Sequence, residues 1–232
     1  MKTPLLLLPG LLCDDVLWSA QASGLGDHCD VVIADMTLDD SIAGMAKRAV
    51  ARMPERFAVC GLSMGGYTAM EVMRQVPERV THLALFDTSP HADTPDRIDI
   101  RRGLIARVED GDFEDVIEQH FLSFVHPSRL EDAELMGRIR ASAMHVGPDA
   151  YIRQQNAIIG RPDSRQTLKS VNCPTLVLCG AEDALTPPPL HDEMAALVPG
   201  AELVKIPVSG HLPTLERPDA VNAAMKKWLG VG

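Results

Sequence analysis

Ser63, held between glycines in Gly61-Leu62-Ser63-Met64-Gly65-Gly66, is the residue of this chain best placed to do chemistry. The apolar run Phe57-Ala58-Val59-Cys60, of strand length, precedes it; Ala69, Val72, Met73 and Val76 follow at helical spacing, and Pro77 stops the helix. Strand, sharp turn and helix are the setting of a G-x-S-x-G nucleophile elbow. A serine on so tight a turn takes a strained backbone, and side chains two positions to either side would collide. Gly61 and Gly65 remove that collision. The competing reading is a glycine-rich turn carrying an ordinary serine; the flanking strand and helix favour the nucleophile.

Serine attacks only with a base beside it, and the base needs an acid to orient it. Of the eight histidines, His211 is the one in a short glycine-containing loop after a late strand, Ser209-Gly210-His211. His82 starts a strand, His120, His126 and His145 sit in a helical stretch, and His191 follows prolines 187–189. Cys179-Gly180-Ala181-Glu182-Asp183 follows the strand-like run 174–179, which puts Asp183 at a strand's carboxyl end. The chain order Ser63, Asp183, His211 then matches one known triad order. Asp87, ending another strand, is the competing acid, and Glu182 ranks third because it would point to the other side of its turn. An oxyanion forming at Ser63 would need N–H donors. Met64, next after the serine, supplies one amide, and Leu11 in the loop Pro9-Gly10-Leu11-Leu12 is the candidate for the other.

The elements that must position these residues alternate. Strand-like runs at 4–8, 30–34, 57–61 and 81–86 are separated by helical stretches near 18–23, 41–53 and 64–76. Such alternation implies a parallel sheet with helices on both faces. From about residue 90 strand signals vanish, and helices are expected at 97–108, 113–124, 131–144 and 149–159. Strands return at 174–179 and 202–206, and Pro218 opens a last helix closed by Gly230. The expected organisation is an α/β core of residues 1–89 and 168–232, with a helical cap, 90–167, over the strand ends.

Composition narrows the partners. With 232 residues, 46% hydrophobic and 23% charged, the chain can bury one large core. The net charge of −10, without a basic cluster longer than Arg101-Arg102 or Lys226-Lys227, speaks against nucleic acid and anionic membrane. The apolar stretch 5–8, between Pro4 and Pro9, is too short for a signal-peptide core or a membrane span. Five cysteines, an odd number without a C-x-x-C pair, read as buried thiols in a reducing cytoplasm rather than a metal or redox site. Oligomeric state has no sequence signal.

Taken together, the Leu-Pro-Gly-Leu-Leu loop, the Gly-Leu-Ser-Met-Gly-Gly elbow, the Pro-Thr-Leu-Val-Leu-Cys-Gly-Ala-Glu-Asp segment and the Ser-Gly-His-Leu-Pro segment resemble the α/β-hydrolase superfamily, in order and over nearly the whole chain. The resemblance is closest to small bacterial carboxylesterases with a helical cap. It implies a mostly parallel sheet of about six strands, no metal or organic cofactor, and hydrolysis of a small-molecule ester, of short to medium chain, through an acyl-serine. Two departures stand out: Pro9-Gly10 replaces the His-Gly of many relatives, and only Met1-Lys2-Thr3 precede the first strand, so the family's N-terminal β-hairpin is expected to be missing. A single glycine before the oxyanion residue goes with esters of simple alcohols in such relatives. The same scaffold also carries C–C bond hydrolases, lyases of the menaquinone-pathway type, thioesterases and non-catalytic ligand receptors.

Cap residues Phe121, Phe124, Met136, Ile139, Met144 and Ile158 recur at helical spacing, most of them as cap core and the rest as pocket lining. The cap is expected to form most of the leaving-group or acyl pocket, and the pocket to be modest, flexible, apolar and suited to small acyl groups. With His211 as base, turnover should rise with pH as an imidazole titrates, near ~6.5 when unperturbed. A pH–rate profile that stays level well below about pH 5 would remove His211 from that role.

Overall fold

The computed structural model describes residues 2–231. Strands β1 (Thr3–Leu8), β2 (Cys29–Ile33), β3 (Phe57–Leu62), β4 (Val80–Phe86), β5 (Thr175–Gly180) and β6 (Glu202–Ile206) form one sheet in the order β2-β1-β3-β4-β5-β6. Every neighbouring pair is parallel. The edge strand β2 pairs parallel with β1, and no antiparallel hairpin flanks it among the described residues.

A parallel sheet covered on both faces asks for continuous apolar strands, and Leu5 to Leu8 are all fully buried. Their side chains alternate between two cores. Leu5, Leu7, Cys60, Leu62 and Phe86 face α1 (Ser19–Leu25) and α10 (Pro218–Leu229), through residues such as Leu25, Val221 and Met225. Leu6, Leu8, Val59 and Leu85 face α2 (Ile42–Val50), α3 (Met64–Gln75) and α8 (Pro188–Leu197), through residues such as Met45, Val72 and Met194.

Between β4 and β5 lie α4 (Pro95–Glu109), α5 (Phe113–Phe124), α6 (Ala133–Ile159) and the short α7 (Arg165–Lys169). The first core continues into this insertion through Phe113, Val116, Ile117, Phe121 and Tyr151. The helices expected at 131–144 and 149–159 are both present within α6, separated by a break where Gly147 takes a non-helical φ of 75° ahead of Pro148. Helix α8 and the short α9 (Pro213–Glu216) were hidden in the sequence by their prolines. Those prolines sit in the first turn, where a missing N–H costs nothing.

Chain order reverses across the sheet between β1 and β3, the switch point at which open parallel sheets leave a crevice beyond their carboxyl ends. The loop after β1 and the turn after β3 flank that point, and the segments after β5 and β6 reach it from the far side.

Candidate active site

Ser63 joins β3 directly to α3 with φ 54° and ψ −113°, a conformation that L-residues rarely adopt. The turn is pinned on all sides. Ser63 N–H donates to the Phe86 carbonyl (2.9 Å), while the Ser63 carbonyl accepts from Gly66 N–H (2.9 Å), Tyr67 N–H (3.2 Å) and Thr88 Oγ1 (2.8 Å). A Cβ on Gly61 would lie 2.0 Å from the Gly65 carbonyl oxygen, and one on Gly65 1.9 Å from that of Leu8. The elbow therefore closes only with glycine at both positions.

Asp183 follows β5 and His211 follows β6, and their side chains meet: His211 Nδ1 lies 2.8 Å from Asp183 Oδ2, with both residues buried. Asp183 Oδ1 accepts from the amides of Leu185 (2.8 Å) and Thr186 (3.1 Å), and Oδ2 from the Thr186 hydroxyl (2.6 Å). Burial pushes this carboxyl up, but the His211 charge and these hydrogen bonds outweigh it and hold the group down at about 2. An ionised Asp183 keeps the proton of a neutral His211 on Nδ1 and leaves Nε2 as the acceptor. Ser63 and His211 line the same cavity, with no hydrogen bond between them among the described residues. Such bonds are often long before substrate binds.

The two competing acids have other partners. Glu182 turns away, as its position suggested, and accepts from Ser209 N–H (3.1 Å). Asp87 comes to the site without bonding the imidazole. Its Oδ1 accepts from Gly180 N–H (2.8 Å), while its buried Oδ2 lacks a partner when both acids are ionised. Burial, and then the negative charge of Asp183, push Asp87 well above the usual carboxylate range. A protonated Asp87 resolves the clash by offering a hydroxyl beside an ionised neighbour.

One donor atom from each of Asp87, Asp183 and His211 lies within 4.8 Å of the others, the spacing of a possible cation site. The donors suit it poorly: Asp183 already accepts four hydrogen bonds, and burial beside Asp183 disfavours the ionised form of Asp87.

Several positioning residues carried no sequence signal. Buried Glu216 accepts from Gly210 N–H (2.8 Å) and Ser209 Oγ (3.3 Å) with one oxygen and from His126 N–H (2.8 Å) with the other, tying the histidine loop to the insertion. Buried Gln154 on α6 accepts from Leu12 N–H (3.0 Å) and donates to the Met36 carbonyl (3.2 Å). The Leu12 amide is so committed, whereas those of Leu11 and Met64 are among the amides near the serine without an acceptor among the described residues. His191 accepts from Thr88 N–H (3.1 Å), and burial holds its imidazole down at about 4, so it stays neutral.

Ser63 and His211 open onto a cavity of about 210 Å³, below the usual range for drug-sized ligands. The insertion supplies 7 of the 17 lining residues, and the rest, Ser63, His211 and the loop after β1 among them, come from the core. Of the six cap residues singled out by spacing, Phe124 and Ile158 line the cavity; Phe121 and Ile139 are packed in the core, Met136 is half-buried and Met144 is exposed. Nor is the wall wholly apolar, since Arg97, Arg101 and His120 belong to it.

A six-stranded parallel sheet with a serine elbow at its switch point defines an α/β hydrolase. The chain belongs to the alpha/beta hydrolase family, whose model matches residues 5–224. It is 30% identical over 187 residues to the pimeloyl-acyl-carrier-protein methyl ester esterase of Nitrosomonas europaea, across 78% of this chain and 74% of that protein. Its structure is similar to that of a thermophilic esterase from Thermogutta terrifontis in a malate-bound form (TM-score 0.92, 29% identity, 99% of this chain and 90% of that one). The enol-lactonase of Burkholderia xenovorans shares the fold (TM-score 0.89, 20% identity, 99% of this chain and 92% of that one). Family and relatives support an enzyme of the hydrolase class. No described helix is long and apolar enough to cross a membrane.

The raised Asp87 gives a test of its protonation. Above ~3.9 the unfolded chain releases this proton while the folded protein keeps it, so the group lowers stability by about 1.4 kcal/mol per pH unit until its folded value is reached. Asp87→Asn should remove that slope, so that urea unfolding followed upward from about pH 4 loses stability less steeply in the variant than in the parent. Equal slopes from there upward would mean that the fold does not raise Asp87.

Proposed function

We propose that this protein hydrolyses small carboxylic esters, of short to medium acyl chain, through an acyl-serine on Ser63. The observation that carries the reading is the buried Asp183–His211 pair, 2.8 Å apart, opening onto the same cavity as a serine on a strained elbow. His211 Nε2 takes the Ser63 proton as the hydroxyl attacks the ester carbonyl. Asp183 holds the ring in that tautomer and stabilises its charged form. The amides of Leu11 and Met64 receive the oxyanion. His211 then protonates the departing alcohol, and water, activated by the same imidazole, releases the acid from Ser63.

None of these steps calls for a metal or organic cofactor. Residues 90–167 act as the cap, excluding water and shaping the far wall of the cavity. The activities of similar proteins, a methyl ester esterase and a thermophilic esterase, support ester hydrolysis.

Turnover of a p-nitrophenyl ester series, from short to long acyl chains, tests the reading. Activity should peak at short chains, which suit the ≈ 210 Å³ cavity. Ser63→Ala should lower kcat by roughly 10⁴–10⁶, and Asp183→Asn by about 10⁴ through loss of the useful tautomer. Activity that survives Ser63→Ala overturns the mechanism. No turnover by the intact protein would favour C–C bond cleavage, a lyase reaction or ligand binding without chemistry.

A further inference from the structure

We propose that the substrate carries a carboxylate in addition to its ester, and that Arg97 and Arg101 bind that carboxylate at the cap wall of the Ser63 cavity. This deepens the ester-hydrolase reading and rests on it. Arg97, Ile100, Arg101 and Leu104 all line the cavity, at the i, i+3, i+4, i+7 spacing of one face of α4. No aspartate or glutamate lines it among the described residues, although the protein as a whole has 32 acidic against 22 basic residues. The charge of the site is thus opposite to that of the molecule.

The two guanidiniums are held differently. Arg97 lines the cavity, is exposed, and has neither a hydrogen bond nor an ion pair from its side chain among the described residues, so its guanidinium is free to take a ligand there. Arg101 is fixed: its Nε donates to Asp93 Oδ2 (2.5 Å) and its Nη1 to Gln155 Oε1 (2.7 Å). Asp93 also takes Arg161 Nη2 on its other oxygen (2.8 Å), so one buried carboxylate serves two cations and a net positive charge remains.

The polar chain continues from Arg101 back to the cavity. With its carbonyl oxygen occupied by Arg101, Gln155 uses Nε2 to donate to the Tyr151 hydroxyl (2.7 Å). The phenol proton is then free for His120 Nε2 (3.0 Å), leaving the His120 proton on Nδ1. Burial, and then the Arg101 charge, hold this imidazole down at about 4, so it is neutral. Arg101 and His120, fixed by buried partners, and the unpaired Arg97 together offer the complement of a carboxylate. An Arg101 that merely laid its aliphatic stem over the insertion would need no such buried chain.

Two pairs of substrates test this: monomethyl glutarate with its neutral amide counterpart, methyl 4-carbamoylbutanoate, and acetoxyacetate with acetoxyacetamide. The first pair carries the charge on the acid side of the ester, the second on the alcohol side. In the parent, kcat/KM for at least one anion should exceed that for its neutral partner by about tenfold, through KM. Arg97→Gln should cut that ratio about fivefold or more. Arg102→Gln, which removes an exposed charge of α4 paired with Asp99 at 3.6 Å, should leave it unchanged.

Calorimetry of the same four compounds with Ser63→Ala, and with Ser63→Ala/Arg97→Gln, reads the subsite without turnover. Anion and amide handled alike in both assays, or a ratio insensitive to Arg97, overturns the proposal. Anion binding that depends on Arg97, without Ser63-dependent hydrolysis of any ester, keeps the carboxylate subsite and removes the ester-hydrolase reading instead.

Discussion

The rest of the site depends on one steric constraint, the passage of backbone against backbone at the Ser63 turn. Gly65 runs so close to the Leu8 carbonyl, and Gly61 so close to that of Gly65, that no side chain fits at either position. The turn stores strain of about 1–3 kcal/mol, which persists only where the surroundings over-determine it. Here they do: β4 supplies the Phe86 carbonyl, the residues after it the Thr88 hydroxyl, and α3 two of its own amides. Leu12, Asp87 and Val208, the other non-glycine residues with positive φ among those described, also lie in loops that follow strands. Among the described residues, backbone strain of this kind is therefore gathered beyond the strand ends.

Electrostatics order the same region by giving each acid a different partner. Asp183 has the imidazole and three protein donors, Asp87 has one amide and a proton, and Glu182 and Glu216 hold the amides of the loop that carries His211. Four acids in so small a volume would repel one another if all were ionised and unpaired. Their separation into bonded, protonated and loop-holding roles keeps one ionised carboxylate against one imidazole.

The insertion works on the site from two directions. Gln154 on α6 fixes the loop after β1, and its sequence neighbour Gln155 belongs to the chain from Asp93 through Arg101 to Tyr151 and His120. Adjacent residues on a helix point about 100° apart, so one turn of α6 reaches the loop after β1 with one side chain and the cavity wall with the next. Phe124 on α5 completes the enclosure, its ring tilted against His211 at 6.1 Å.

The sequence by itself determined whatever depends on local sterics and periodicity. Four leucines between two prolines make a doubly buried strand, and a serine flanked by glycines between a strand and a helix makes the elbow. The strand count, the parallel sheet and the helical insertion between β4 and β5 follow from the same alternation. Local pattern failed where proline masked a helix start, as in α8 and α9, and it preferred Asp183 to Asp87 by chain order alone, since both are strand-terminal carboxylates. The contact itself is visible only in the tertiary structure, because which oxygen meets His211 depends on how β4, β5 and β6 lie side by side. The same holds for Gln154, Glu216 and the arginines of α4. Their partners are remote in sequence or lie across a cavity, and no spacing along the chain encodes a distance that folding alone creates.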